Sequence, residues 1–418
     1  MSKFIIKPGN SLKGSVELQG AKNSALKLMA ACILVRGKSD LYDVPQITDV
    51  EIMSDLLESM GISMTTNAPG HLGIDTPAHI TPYAPYELVE KMRASVVVLG
   101  PLLATQGRAR VSLPGGDDFG HRPIDIHIRA LSELGADFQT SHGYIEASCK
   151  RLVGKRIVLD FPSHTATDNV LMAAVLAKGE TVIENAAREP EIQDLADFLI
   201  KMGAKIDGAG TSRIVVQGVD TLRPASHSVI RDRVEAATFI AAAGLAGGEI
   251  EICGVRREYM DMLLEKVSQM GLVVESIENG IRVVSNGRLR SVDVATLPYP
   301  GVATDYKPLI VTMLSVADGA AIVSENLFAG RFRYVDELRR MGADIRTQGH
   351  HALIRGVDKL SGAQVRASDI RAGAALVVAG LAADSATTVL GGDHIDRGYE
   401  KFAQKLSFIG ADIERVEE

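Results

Sequence analysis

Five places in the 418-residue chain put a charged or amide side chain at the head of an apolar stretch, where it could grip an anion or move a proton. Lys22 and Asn23 follow Gly20 and Ala21 at the head of NSALKLMAACIL, Arg93 precedes ASVVVLG, and Arg122 precedes Pro123. Asp305 stands before KPLIVTM, and Asp369 with Arg371 opens AGAALVVAG. A helix start carries partial positive charge and unpaired N–H groups, so a lysine there is disfavoured by about 0.3–1 kcal/mol unless an anion sits beside it. Asn23 and Asp369 have an ordinary alternative as N-caps, and a single arginine at a helix start is ordinarily a snorkelling surface residue. Several such cations converging on one cleft would concentrate phosphorylated ligands within an otherwise acidic protein.

Residues 113–125 read LPGGDDFGHRPID, a Gly-rich segment with two adjacent acids, and its turn chemistry predicts a mobile loop. It is not a phosphate-binding P-loop, and no G-x-G-x-x-G opens a helix, so ATP and dinucleotide readings lose their usual support. His121, His127, His142, His164 and the pair His350 and His351 show no ligand spacing, and each reads as a core or surface residue. Cys32, Cys149 and Cys253 are odd in number and far apart, which supports neither a disulfide framework nor a zinc site and fits a reducing cytoplasm. No metal and no cofactor are indicated.

The elements that must position these residues repeat. LLESMGISM, LSELGADF, LIKMGAKI, VSQMGLVV, LRRMGADI and LSFIGADI share one pattern, and their glycines, Gly61, Gly135, Gly203, Gly271, Gly342 and Gly410, are 74, 68, 68, 71 and 68 residues apart. Each phrase reads as the end of an amphipathic helix capped by glycine and followed by a hairpin. Each unit also holds a second helix that is apolar all round and therefore buried. The period exceeds that of common solenoids, so closed clusters with sheets outside and apolar helices inside are expected: an α/β protein of two domains, three units each. With 46% hydrophobic and 23% charged residues the chain is globular, and its net charge of −7 without a basic run argues against nucleic-acid or anionic-membrane partners. The N-terminal apolar run is too short for a signal peptide, and no stretch approaches a membrane span.

GAKNSALKLMAA, EKMRASVVVLGPLLA, LPGGDDFGHRPID, ENAAREPEIQDLADFLIKMGAKIDGAG, SDIRAGAALVVAGL and HIDRGYEKF, in that order, resemble the signature segments of the enolpyruvyl transferases, in the branch that acts on UDP-N-acetylglucosamine. The likeness covers essentially the whole chain. It implies an inside-out α/β barrel fold, with residues 1–20 and 230–418 forming one discontinuous domain and 21–229 the other, which carries the loop 113–122. The implied reaction moves the enolpyruvyl group of phosphoenolpyruvate to the 3′-hydroxyl of UDP-N-acetylglucosamine through a tetrahedral intermediate, releasing phosphate, as a step of peptidoglycan precursor synthesis. It requires no metal or organic cofactor, and a monomer is the expected form. Motif by motif, Lys22, Arg122 and Arg397 would hold phosphoenolpyruvate. Asn23, Arg93, Pro123, Ile124, Asp125 and Ile126 would surround the nucleotide sugar, with Ser163, His164 and Thr165 near its diphosphate and Leu327 in the same set. Asp305 would be the base or hydroxyl orienter, and Asp369, Arg331 and Arg371 would complete a cleft assembled by domain closure.

The general acid implied by the resemblance is Asp117 in GGDDFG, where most of the family carry cysteine and a minority aspartate. An aspartate near its reference value of about 3.9 is ionised at neutral pH, so a donor role asks for desolvation or a hydrogen bond that raises it. Asp118 reads as a solvated neighbour. Two segments depart from the family pattern: Ser163-His164-Thr165-Ala166-Thr167 replaces S-V-G-A-T, and PGVATD at 300–305 replaces P-G-F-P-T-D. With His121, these changes fall on the acceptor side. A paralogue acting on another uridine nucleotide, such as UMP in nucleoside-antibiotic synthesis, is therefore the alternative. A non-catalytic nucleotide-sugar sensor is a second, opposed by the joint presence of Lys22, Asp117, Asp305 and Arg397. The shikimate branch is disfavoured because GAKNSAL replaces its opening motif. A carboxylate is a poorer partner than a thiolate for an epoxide, so resistance to fosfomycin is predicted. Activity should survive incubation with excess drug, and mass spectrometry should find no adduct; rapid stoichiometric inactivation with an adduct on Asp117 is the contrary result.

Overall fold

A computed structural model describes residues 2–113, 124–328 and 330–417. The chain forms two compact units, one of residues 2–19 and 231–417, the other of 20–113 and 124–230, each around its own apolar core. Each unit carries three four-stranded sheets, and in all six sheets one outer pair is parallel and the other two pairs are antiparallel. The recurring phrase is thus a recurring sheet pattern. All six of its glycines adopt positive φ, between +85° and +108°, where a side chain would be strained.

Six apolar helices lie behind the sheets: α1 (Lys22–Ala31), α2 (Leu99–Gln106), α3 (His164–Ala174), α4 (Arg233–Ala246), α5 (Lys307–Leu314) and α6 (Ile370–Leu381). Every residue of α5 and α6 is buried, and α4, α5 and α6 pack against one another pairwise. Each large aliphatic side chain sealed in this way contributes about 1.5–3 kcal/mol. The stretch ASVVVLGPLLA, which reads as one helix, starts instead with a 3₁₀ segment, Arg93–Val98, before α2. Its three consecutive valines crowd the preceding helical turn.

Sheet closure reaches across the sequence. Ser2–Lys7 pairs antiparallel with Thr387–Leu390 and Asp412–Glu417, and Leu12–Glu17 pairs parallel with Gly248–Cys253. In the other unit Ser226–Ser228 runs parallel to Gly37–Tyr42. Where the chain leaves a sheet to pass the end of a buried helix, two repeats use Gly-Val-Asp. The Val219 N–H donates to the Val175 carbonyl at 2.9 Å, and Val357 N–H to Ser315 at 2.8 Å. A Cβ on Gly218 would lie 1.7 Å from the Ala177 carbonyl oxygen, and one on Gly356 1.6 Å from that of Ala317. Gly356→Ala should therefore cost about 1–3 kcal/mol or more in urea unfolding, the range of core overpacking. Gly287→Ala, with nothing within 4 Å of the added carbon, should stay within about 0.5 kcal/mol of the parent.

Candidate active site

The polar groups gather at helix N-termini. In the unit of residues 20–113 and 124–230, Lys22 opens α1 and meets an internal anion, the buried Asp49 carboxylate, at 2.7 Å. One turn on, Lys27 donates to the Asn23 carbonyl and lies 3.4 Å from His164 Nε2 and 3.6 Å from the Asp168 carboxylate. The starts of α1 and α3 therefore meet around a lysine that is only 4% exposed. Burial raises the Asp168 carboxyl to about 7, against the pull of Lys27. Ser163 caps α3 by accepting from the Ala166 N–H. Thr165 Oγ1 lies 3.2 Å from His127 Nε2, while Asn169 Nδ2 donates to His127 Nδ1 at 2.9 Å. These partners fix the tautomer with its proton on Nε2.

The start of α1 is pinned from behind. Ser24 donates its hydroxyl to Asp194, whose carboxylate also takes His227 Nε2–H at 2.8 Å and the Ile230 N–H at 3.4 Å. Lys201 completes the line, donating to His227 Nδ1 at 2.9 Å.

In the unit of residues 2–19 and 231–417, Asp305 lies 2.8 Å from Arg331 and 3.8 Å from Arg371, two guanidinium groups that are each about 95% buried or more. Asp369 caps α6 through the Arg371 and Ala372 N–H groups, at 3.0 and 2.9 Å. Behind Asp305 stands Glu325, fully buried. It accepts from Lys307, Thr296 and Thr304 at 2.8 Å each, from the Leu327 N–H at 2.8 Å and from the Phe328 N–H at 3.1 Å. Thr304 in turn accepts from Arg331 at 3.0 Å. Burial opposes ionisation of Glu325, but Lys307 and these donors outweigh it and hold the carboxyl below its ordinary value. Burial lowers Lys307 to about 8, still protonated at neutral pH. The Arg371 guanidinium lies over the Tyr399 ring, 5.1 Å from its centre, and Arg397, half-buried, stands two residues before that tyrosine.

The sequence candidates sort accordingly. Lys22, Asn23, Ser163, His164 and Thr165 share one neighbourhood, into which Arg93 projects charge that reaches His127. Asp305, Leu327, Arg331, Asp369 and Arg371 share another, with Arg397 on the adjoining segment. Ile124 is buried at the head of helix Asp125–Glu133, but Asp125 is exposed and pairs with Arg129 along that helix at 3.5 Å, with Ile126 beside it half-buried. Asp117, Asp118, His121, Arg122 and Pro123 lie outside the described residues. Sequence reasoning missed Lys27, Asp168, Lys307 and Glu325, and dismissed His127. For Lys27, Asp168 and Lys307 the usable signal was a charge inside an otherwise apolar helix, which a buried helix tolerates only when the charge is paired; Glu325, in a loop after a strand, carried no such signal. Among the described residues no group of three or more His, Cys, Asp or Glu side chains could hold a metal ion.

This arrangement suits an anionic ligand and a hydroxyl: fixed cations in low dielectric, backbone N–H groups at helix starts, and a carboxylate that can accept a proton or a hydrogen bond. Burial, with the Arg93 charge, lowers His127 to about 3 from an ordinary 6.5. The unfolded chain thus binds this proton more readily between those values, and the histidine makes stability fall as pH drops from 6.5 toward 3. Two-dimensional ¹H–¹⁵N spectra should show His127 as the neutral Nε2–H tautomer with no titration from pH 8 to about 5; a midpoint near 6.5 would contradict the buried geometry.

Comparison with known proteins agrees with this chemistry. Residues 6–406 match the family model described as EPSP synthase (3-phosphoshikimate 1-carboxyvinyltransferase). A protein of Corynebacterium efficiens named UDP-N-acetylglucosamine 1-carboxyvinyltransferase is 49% identical over 415 residues, 99% of this chain and 98% of that protein. One of the same name from Geobacter metallireducens is 48% identical over the full length of both. Among solved structures, the enolpyruvyl transferase NikO from Streptomyces tendae superposes with a TM-score of 0.89 at 23% identity over 99% of both chains. EPSP synthase from Acinetobacter baumannii gives 0.75 at 19% identity over the whole of both chains. The fold is thus the two-domain inside-out α/β fold, and among the described residues no helix is long and apolar enough to cross a membrane. On the match over nearly its whole length, the chain belongs to the EPSP synthase family of 1-carboxyvinyltransferases, the enolpyruvyl transferases.

Proposed function

We propose that this protein transfers the enolpyruvyl group of phosphoenolpyruvate to the 3′-hydroxyl of UDP-N-acetylglucosamine, releasing phosphate, in the synthesis of peptidoglycan precursors. The observation that carries the reading is the 48–49% identity, over essentially entire chains, to proteins that bear the name of this activity. Protonation at C3 of phosphoenolpyruvate makes C2 electrophilic, the sugar hydroxyl adds there, and loss of phosphate with the C3 proton restores the double bond. Charge is high throughout, so fixed cations supply most of the stabilisation. Lys22, Arg122 and Arg397 are assigned to phosphoenolpyruvate. Asn23, Arg93, Pro123, Ile124, Asp125, Ile126, Ser163, His164, Thr165 and Leu327 are assigned to the nucleotide sugar, with Asp117 as general acid.

Asp305 is flanked by the Arg331 and Arg371 guanidinium groups, at 2.8 and 3.8 Å. Its geometry supports orienting the attacking hydroxyl and accepting its proton only as the C–O bond forms. Arg331 and Arg371 hold it there, and Asp369 caps the helix that carries Arg371. The protein works without an added cofactor, as a cytoplasmic monomer.

The test is phosphate release from phosphoenolpyruvate with UDP-N-acetylglucosamine, with UMP, and with no acceptor. Turnover with the first alone is expected, and Asp305→Asn should lower kcat by about 10²–10⁴, the usual scale of proton-transfer assistance. Turnover with UMP alone would assign the protein to another uridine nucleotide, and turnover with neither would make it a sensor.

A further inference from the structure

Gln19 is 4% exposed, and every hydrogen-bonding group it has is engaged or placed for engagement within one unit. Its backbone N–H donates to Glu235 at 2.7 Å, and its carbonyl accepts from the Asp232 N–H at 3.0 Å. Its side-chain amide bridges two points of a distant turn: Nε2 donates to the Gly398 carbonyl at 2.9 Å, and Oε1 accepts from the Glu400 N–H at 2.6 Å. A donor at one end and an acceptor at the other fix which way the amide points. Glu235, against which the Gln19 backbone rests, is itself fully buried and held by Lys405 at 2.7 Å.

The turn so gripped holds no regular structure between the short helices Gly392–Asp396 and Phe402–Phe408, and its last residue, Lys401, sits at φ +50°. A non-glycine residue in that region costs about 1–3 kcal/mol and persists only where its surroundings hold it. Arg397 immediately precedes the gripped segment. Tyr399 lies between its two anchored neighbours, with its hydroxyl 2.8 Å from Thr238 Oγ1 and its ring under the Arg371 guanidinium. Arg371 reaches Asp305 at 3.8 Å. The same glutamine ends the strand-side segment that leads, three residues on, to Lys22.

We infer that Gln19 is a positioning residue for phosphoenolpyruvate: its amide fixes the 397–400 turn and so sets the placement of the Arg397 guanidinium, with Tyr399 and Arg371 as a second arm. The inference rests on the proposed function for its ligand, while the clamp itself does not. Gln19→Met keeps the length and apolar volume of the side chain and removes both hydrogen bonds.

Two measurements on the full-length variant decide the matter. Hydrogen exchange should accelerate at the Glu400 amide, which loses its acceptor, and stay at the parental rate at the Asp232 amide, which keeps the Gln19 carbonyl. In steady-state kinetics KM for phosphoenolpyruvate should rise on the order of 10-fold to 100-fold, the scale of a small misplacement, while KM for UDP-N-acetylglucosamine stays within about twofold. Rescue is expected from Gln19→Glu at the Glu400 amide only, since a carboxylate accepts but does not donate. An unchanged KM for phosphoenolpyruvate, or equal rises in both constants, would overturn the positioning role. If the parent protein fails to turn over phosphoenolpyruvate with any acceptor, the proposed function falls, and unaltered exchange at Glu400 would then overturn the clamp as well.

Discussion

A helix that is apolar on every side and wrapped by sheets can meet polar chemistry only at its ends. That constraint organises both units. α5 and α6 have no exposed residue, so the groups proposed to face ligands stand at or just before their first turns: Asp305 ahead of α5, Asp369 and Arg371 at the start of α6. The same holds for Lys22 on α1 and for Ser163, His164 and Thr165 on α3. Removing an ion from water costs several kcal/mol even after relaxation, and only close partners offset it. Glu325 meets that demand with five donors, and the lysine and threonine that serve it also fix Arg331 and the segment bearing Asp305.

The charged groups therefore arrive in position before any ligand does. Arg331 and Arg371 are nearly sealed, with Asp305, about a quarter exposed, as the carboxylate beside them. Around α3 the same burial acts in opposite directions on two neighbours. It keeps His127 neutral and lifts the Asp168 carboxyl to about 7, so two packed helices, Asp125–Glu133 and α3, hold respectively a group that ignores neutral pH and one that is poised on it. Lys27 stands 3.6 Å from the second, and the local charge balance near the heads of α1 and α3 follows the state of that carboxyl.

Much of this was legible in the sequence, because its strongest signals were periodic. Six glycines at nearly constant spacing announced six helix ends, and each occupies the left-handed region that explains its residue type. The apolar helices were visible from composition, and the candidate site residues from the charges beside them. The inner partners were not. Glu325 sits in a loop after a strand, with nothing in its neighbours to mark it, and it becomes a hub only when Thr296, Thr304 and Lys307 come together from separate segments. Asp49, Asp194 and Gln19 are of the same kind: side chains of ordinary type whose meaning is set by contacts some 30 to 380 residues away. The helix expected at 94–104 failed for a local reason, its valine run, that the apolar pattern concealed.

The closing of the sheets has a bearing on biosynthesis. Every described strand of the unit of residues 20–113 and 124–230 has been synthesised once Ser226–Ser228 is made, while most of the other unit is still to come. The strand Ser2–Lys7 precedes every other described strand, yet its neighbours, Thr387–Leu390 and Asp412–Glu417, are the last two among the described residues. Until those two strands are made it is an unpaired edge whose alternate residues Phe4 and Ile6 belong in a core. Ser2–Lys7 is thus a sticky ribbon while it waits for its partners, and how long it stays uncovered is set by the speed with which the last of the six repeats arrives.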